Sequence, residues 1–187
     1  IVTATTTSRR RSVSTRTQDA HCSGCTRSPP GSTAHTVTAP AAESPATPAP
    51  TPAITASRSR TGPMGAFAFR IEEGGRALVY AGHAGSEGGA PTAAMRALYR
   101  NADVLVHDST FTGEDKRRYQ DRGLASVDDA VDAAVAAQAR KLVLFHYDQD
   151  YADPEVDGLV ERARQRARDA GATLEIVGAA EGKTLAV

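Results

Sequence analysis

Three apolar segments of this chain each run directly into a histidine, and one of these histidines is followed by an aspartate. The four residues are His83, His107, Asp108 and His146. Helical patterns separate the apolar segments, which predicts parallel strands whose carboxyl ends share one edge of a sheet. Ligands bind at that edge in open α/β sheets. Imidazoles and carboxylates gathered there could hold a metal ion or transfer protons.

His146 and the acid two residues after it, Asp148, are the strongest candidates by local sequence. The Leu-, Val- and Phe-rich run before His146 is typical of a strand buried on both faces, so the next polar residue emerges at the sheet edge. An ordinary strand end without a chemical role is an equally good interpretation of this segment. His107 and Asp108 could bind metal, relay a proton or accept hydrogen bonds from loop amides. His83 could belong to a flexible glycine-rich turn, which lacks the Gly-Lys-Ser/Thr element of a phosphate loop.

The elements that must position these residues fill the part of the chain after residue 62. Their boundaries follow from apolar periodicity, capping residues and turn glycines. In chain order we predict a hairpin around Glu73–Gly75, a helix from Pro91 to about Arg100, a strand over 102–107, a loop over 109–124, a helix from the N-cap Ser126 to about Ala139, a strand over 141–146, a helix from its cap Asp153 to just before Gly171, and strands over 173–177 and 183–187.

Residues 1–62 have a different composition, with no Leu, Met, Phe, Tyr or Trp. Such a segment buries too little apolar surface to offset the entropy of ordering it. We predict a disordered low-complexity tail over 1–62 and a folded domain over 63–187. Both cysteines, Cys22 and Cys25, lie in the tail, where one C-x-x-C is a weak zinc signal. A reducing, cytoplasmic location fits this usage, and no apolar run approaches the ~20 residues of a membrane span.

Five segments of the folded part agree in order and spacing with a known family. They are 65–71, 78–81, 102–111, 126–130 and 142–148. Together they resemble the C-terminal half of the metallo-β-lactamase-fold hydrolases, in the branch of ribonuclease Z and cyclic-nucleotide phosphodiesterases. The resemblance implies an α/β fold, here a partial metallo-β-lactamase-like αββα sandwich behind the disordered tail.

The resemblance also implies a site. Such enzymes hold two metal ions, usually zinc and in some cases Mn²⁺, which activate water for attack on a phosphodiester. His146 falls on a metal-ligand histidine of the family, and Asp108 falls on an acid that supports proton transfer, preceded by His107. His83 stands where the family has a bridging aspartate. We therefore expect His146, His83 and Asp108 as metal ligands, and Asp108 and His107 as catalytic residues.

The chain departs from the family pattern in its N-terminal half. The signature H-x-H-x-D-H is absent, and the position of a further ligand histidine reads Thr61-Gly62-Pro63. Translation of the N-terminal segment in a shifted frame is one hypothesis for this. We expect a metal-dependent hydrolase that acts on a phosphodiester or nucleotide-like small substrate. Because the signature is absent, we expect its activity to be impaired or lost. The alternative is a non-catalytic α/β binding or interaction module.

A further expectation concerns association. Half of the usual sandwich leaves one sheet face without a covering layer, and large exposed apolar patches promote binding to other surfaces. The sequence therefore predicts self-association or a homodimer, and no membrane partner.

Overall fold

Six strands and four α-helices make up the part of the chain that the computed structural model describes, which is residues 51–59, 65–85, 90–119 and 122–187. The strands are β1 Ala53–Ser59, β2 Ala66–Glu73, β3 Arg76–Ala81, β4 Val104–Asp108, β5 Lys141–Phe145 and β6 Glu175–Gly178. The helices are α1 Ala93–Tyr99, α2 Gly113–Arg118, α3 Val127–Ala136 and α4 Asp153–Asp169.

All six strands form one sheet in sequence order. The strands β1, β2 and β3 are antiparallel neighbours, and β3 to β6 run parallel. The β2–β3 connection turns through Gly74 and Gly75, both at positive φ, as the hairpin prediction requires. Parallel neighbours need long crossovers, which α1, α3 and α4 supply. The register pairs Ala81 with His107, and Asp108 with Phe145, so three strands end side by side.

One face of the sheet is buried under helices. Val79, Leu105 and Leu142 are fully buried there, in a cluster with residues of α1, α3 and α4. The small side chains of α3, Ala130 and Ala134, are also fully buried and allow the helix to approach the strands closely. A sheet with a single helical layer is half of an αββα sandwich, so the described residues confirm the predicted fold class.

The second face of the sheet has a smaller apolar cluster. Val104, Val106 and Val143 are buried there. Toward β1 and β2 the same face becomes exposed, and Phe67 retains 57% of its accessible surface. In the described part of the chain, no helix is long and apolar enough to cross a bilayer.

Several elements differ from the sequence prediction. Strand β1 lies inside the segment predicted to be disordered, because its backbone pairs with β2 over seven residues. Helix α2 lies inside the predicted loop over 109–124, where Thr112 caps it and acids precede bases along its length. Helix α4 has Ala152, not Asp153, at its N-cap. Residues 183–187 form no strand, and Leu185 and Val187 pack against the second sheet face. Residues 1–50 of the predicted tail lie outside the described residues.

Candidate metal centre

The predicted site residues come from three neighbouring strand ends. His83 follows β3 after one glycine, Asp108 is the last residue of β4, and His146 directly follows β5. Because β3, β4 and β5 are parallel neighbours, their carboxyl ends share one edge. The position of the cluster therefore follows from strand order and strand length.

Three of the predicted residues lie together. His83, Asp108 and His146 each offer a ligand atom, and these atoms all lie within 4.8 Å of one another. Nδ1 of His83 is 3.4 Å from Nε2 of His146, with the rings nearly perpendicular at 86°. Two imidazole nitrogens at this distance either share a proton or face a common cation.

Asp108 is the buried member of the cluster. Its Oδ1 accepts hydrogen bonds from the backbone N–H of Thr110 at 3.1 Å and from the Thr110 hydroxyl at 2.7 Å. Its Oδ2 is buried and has no hydrogen-bond partner among the described residues. A buried carboxylate oxygen without a partner is costly, and a bound cation would remove that cost.

Thr110 also contacts His146. Nδ1 of His146 lies 2.8 Å from the Thr110 hydroxyl oxygen. Because the hydroxyl gives its single proton to Asp108, it must accept one from His146, so Nδ1 carries the proton in this arrangement. Nε2 of His146 is then the nitrogen with a free lone pair, and it faces His83. Outer hydrogen bonds orient metal-binding histidines in the same way.

The charge on Asp108 also influences His146. The carboxylate, whose Oδ1 is 3.8 Å from Nδ1 of His146, raises the pKa of that imidazole, although partial burial of the ring acts in the opposite direction. A negative neighbour makes the His146 ring more basic, which strengthens it as a metal ligand.

The backbone at this edge is unusual. His146 has φ of 63°, a left-handed conformation that few non-glycine residues adopt. Gly82, the residue before His83, leaves room for the ring of Tyr80: a Cβ there would lie 2.6 Å from the Tyr80 hydroxyl. Left-handed non-glycine residues concentrate at functional sites.

These features fit a zinc ion. Two imidazoles and one carboxylate are zinc ligands, and three protein ligands with an open position are typical of catalytic zinc sites. Ligands bound at ~2.0–2.1 Å in a tetrahedron lie about 3.3 Å apart, close to the 3.4 Å between His83 and His146. The other ligand atoms, which lie within 4.8 Å, must move closer together, by up to about 1.5 Å, to bind the same ion. The donor set suits one ion, because the described residues supply only this one group of three potential ligands.

Two predicted candidates lie elsewhere. His107 is buried on the helical face, where its ring packs edge-on against Tyr99 and its Nδ1–H donates to the backbone carbonyl of Asp108 at 2.7 Å. Burial lowers the pKa of His107. Asp148 accepts from the Asp150 amide and lies 4.0 Å from Arg122, so it is not part of the cluster.

The residue that sequence reasoning missed is Thr110. Its signal was present, since a hydroxyl residue two positions after an aspartate commonly hydrogen-bonds that carboxylate in a turn. Such turns are frequent, so the spacing alone did not reveal that the same hydroxyl also contacts a histidine 36 residues away.

Comparison with known proteins identifies the family and related sequences. The family model of the "Beta-lactamase superfamily domain" matches residues 6–147, more than half of the chain and including most of the predicted tail. Ribonuclease Z of Streptomyces coelicolor is 41% identical over 69 residues, which is 37% of this chain and 23% of that protein. Ribonuclease Z of Ignicoccus hospitalis is 42% identical over 52 residues, 28% and 17% of the two chains. The chain therefore spans about a fifth of the length of these relatives.

Solved structures agree on the fold. The metallo-β-lactamase fold protein YhfI from Bacillus subtilis matches with a TM-score of 0.55 and 21% identity, over 71% of this chain and 51% of that one. Human tRNase Z, short form, matches with a TM-score of 0.50 and 20% identity, over 68% and 40%. At these identities the likeness shows the fold alone. By the family match the chain belongs to the β-lactamase superfamily, and the likeness to solved structures shows that it has the metallo-β-lactamase fold.

Proposed function

We propose that this chain carries one wall of a metal-dependent phosphodiester hydrolase site, and that this wall holds a single zinc ion. The ligands are His83, Asp108 and His146. The observation that carries the proposal is the convergence of these three ligand atoms within 4.8 Å, one of them on a buried carboxylate whose Oδ2 has no partner among the described residues.

Each residue of this site has a defined role. When bound, zinc supplies Lewis-acid chemistry that favours attack of water on a phosphodiester. Asp108 contributes Oδ2 as a ligand and uses Oδ1 to hold Thr110, which in turn fixes the proton on Nδ1 of His146. His107 is a positioning residue, because its donation to the Asp108 carbonyl holds the strand end from which the carboxylate projects.

The substrate class comes from the relatives. Two proteins that share about 40% identity with part of this chain are named ribonuclease Z, which supports a phosphodiester substrate. The absence of H-x-H-x-D-H from the sequence means that a second metal ion lacks its usual ligands, so we expect slow hydrolysis at most. We also propose a cytoplasmic location. Mn²⁺ is the second ion to test.

Metal content and turnover test the proposal together. The test uses the full chain with Cys22→Ser and Cys25→Ser, because these substitutions remove the C-x-x-C as a competing zinc site. Elemental analysis after zinc loading and dialysis should give about one zinc per chain, and His146→Ala should abolish it. His21→Ala is the matched control, because His21 lies far along the sequence from the cluster. Hydrolysis of bis-p-nitrophenyl phosphate, with Zn²⁺ or Mn²⁺, should depend on His146.

The alternative, a non-catalytic α/β module, gives a different result. It predicts no retained zinc and no turnover with either ion. Zinc retained without turnover would support the proposed metal site and contradict the proposed hydrolase activity.

A further inference from the structure

A cavity opens beside the candidate metal centre, on the second face of the sheet. Its volume is about 290 Å³, and its apolar walls include Val143, Phe145 and Leu185. The first two come from β5, and Leu185 packs against them from the end of the chain. The wall contributed by residues 179–185 lies beyond residue 147, where the family match ends, so it is a feature outside the matched region.

The size and walls of the cavity suit a flat aromatic group. Small-molecule sites start at ~300 Å³, so this cavity has room for one compact ring system. Phe145 and Tyr147 both line it. Phe145 is held in place by an edge contact with Tyr80, with ring centroids 5.9 Å apart. Aromatic side chains of this kind are the surfaces on which nucleobases stack.

The mouth of the cavity adds polar groups of both kinds. Glu181 and Lys183 line it and are exposed. Neither makes an ion pair with a residue in the described part of the chain, so both are available to a ligand. A carboxylate accepts and an ammonium donates, which matches the mixed donor and acceptor edge of a nucleobase.

The cavity and the metal centre share one residue. His146 lines the cavity and belongs to the His83–Asp108–His146 cluster. A ligand in the cavity therefore lies against a residue that also belongs to the candidate metal centre. We propose that this cavity binds the base of a nucleotide whose phosphate reaches the metal centre. The position of the phosphate rests on the proposed function, and the base-binding cavity does not.

Calorimetric titration of the full chain with adenosine 5′-monophosphate and with ribose 5-phosphate tests the proposal. The two probes share the phosphate and the sugar, and only the first carries a base. We expect the nucleotide to bind about tenfold more tightly, in keeping with base stacking on aromatic side chains. Leu185→Asp should reduce its affinity to that of ribose 5-phosphate. The neighbouring exposed residue gives the control, Ala186→Asp, which should bind like the unaltered chain.

A second variant guards against a folding defect. Lys183 is exposed, so Lys183→Ala should leave the melting temperature unchanged and still weaken nucleotide binding about threefold or more, the loss expected for one hydrogen bond. Equal affinities for the two probes would overturn the proposal, as would equal effects of Leu185→Asp and Ala186→Asp. Zinc content distinguishes a failure of this proposal from a failure of the proposed function. Nucleotide binding without bound zinc would support the base-binding cavity and contradict the metal centre. Bound zinc without a preference for the base would support the metal centre and contradict the base-binding cavity.

Discussion

Thr110 is the residue on which the geometry of the candidate centre depends most. Its hydroxyl joins Oδ1 of Asp108 to Nδ1 of His146, at 2.7 and 2.8 Å. The carboxylate and the imidazole are therefore oriented by one small side chain that binds no metal itself. Removing that hydroxyl frees the His146 ring to rotate and leaves a lone pair of Asp108 without its donor.

We predict that Thr110→Val lowers zinc affinity by about tenfold or more, because loss of an outer hydrogen bond typically costs ~10–100-fold. Competition with a chromophoric chelator measures this. Thr110→Ser keeps the hydroxyl and should retain most of the affinity. If serine and valine behave alike, the hydroxyl does not orient the ligands.

Individual residues were predicted from the sequence to different degrees. His83, Asp108 and His146 could be found because each follows an apolar run that ends at a sheet edge. His107 follows the same kind of run, yet strand alternation turns it to the helical face, under Tyr99. A residue at the end of a strand points to one face or the other, and sequence alone does not establish which.

At the scale of elements, the turn after β3 positions His83 and has little spare room. Gly85 approaches Gly123 so closely that a Cβ on Gly85 would lie 1.8 Å from the Gly123 carbonyl oxygen. Backbone atoms cannot accommodate such an overlap, so a larger residue must displace one of the two segments.

We therefore predict that Gly85→Ala displaces the turn and lowers zinc affinity several-fold, measured by the same chelator competition. Gly158 on helix α4 gives a matched control, since a Cβ added there would have no other atom within 4 Å. Gly158→Ala should raise the free energy of unfolding by ~0.5–1 kcal/mol and leave zinc binding unchanged. Unchanged zinc affinity in Gly85→Ala would show that the turn does not position His83.

A second element, the N-terminus of α3, should make stability depend on pH. Burial would raise the pKa of Asp129, but hydrogen bonds from Lys116 and Ser126 outweigh burial and lower it. Ionised Asp129 therefore stabilises the fold above the ordinary aspartate pKa of ~3.9, and that contribution is lost as the pH falls through the lower folded value.

We predict that Asp129→Asn lowers the free energy of unfolding by ~1–2 kcal/mol near pH 7. The difference from the unaltered chain should shrink as the pH falls toward 3. Urea unfolding at a series of pH values measures it, with the exposed Asp157→Asn as control. A difference that stays constant with pH would contradict the role of the ionised carboxylate.

The elements themselves were predictable where local signals were strong. Ser126 predicted the start of α3, and the two turn glycines before β3 predicted the β2–β3 hairpin. Both predictions are confirmed. The sequence did not reveal β1, whose polar residues become a strand only because β2 pairs with them. Helix α2 is six residues long and buries none of them, so it lacks the apolar period by which helices are recognised.

At the scale of the whole molecule, the second sheet face matters because it exposes large apolar side chains in the part of the chain that the structure describes. Ile54, Phe67 and Phe69 are exposed near the β1 edge, and Tyr80 continues the apolar surface toward the centre of the sheet. Apolar patches of this kind mark interaction sites or aggregation liabilities. The family match from residue 6 onward shows that the segment before β1 also belongs to this superfamily, although residues 1–50 lie outside the described structure.

We predict that the full chain self-associates in a concentration-dependent manner through this face. Phe67→Lys should shift sedimentation toward the monomer, because it removes apolar area and adds repulsion between copies. Glu73→Lys, at an exposed position of the same strand, should have a much smaller effect. A monomeric unaltered chain at high concentration would refute self-association.

The most direct test of the central claim is the zinc stoichiometry of the Cys22→Ser, Cys25→Ser chain with and without His146→Ala. The geometry of His83, Asp108 and His146 predicts about one zinc per chain, and none once His146 is removed. His21→Ala should keep the full content. Retention of zinc by His146→Ala, or its absence from the chain with all three ligands, would contradict the assignment of this cluster as a metal centre.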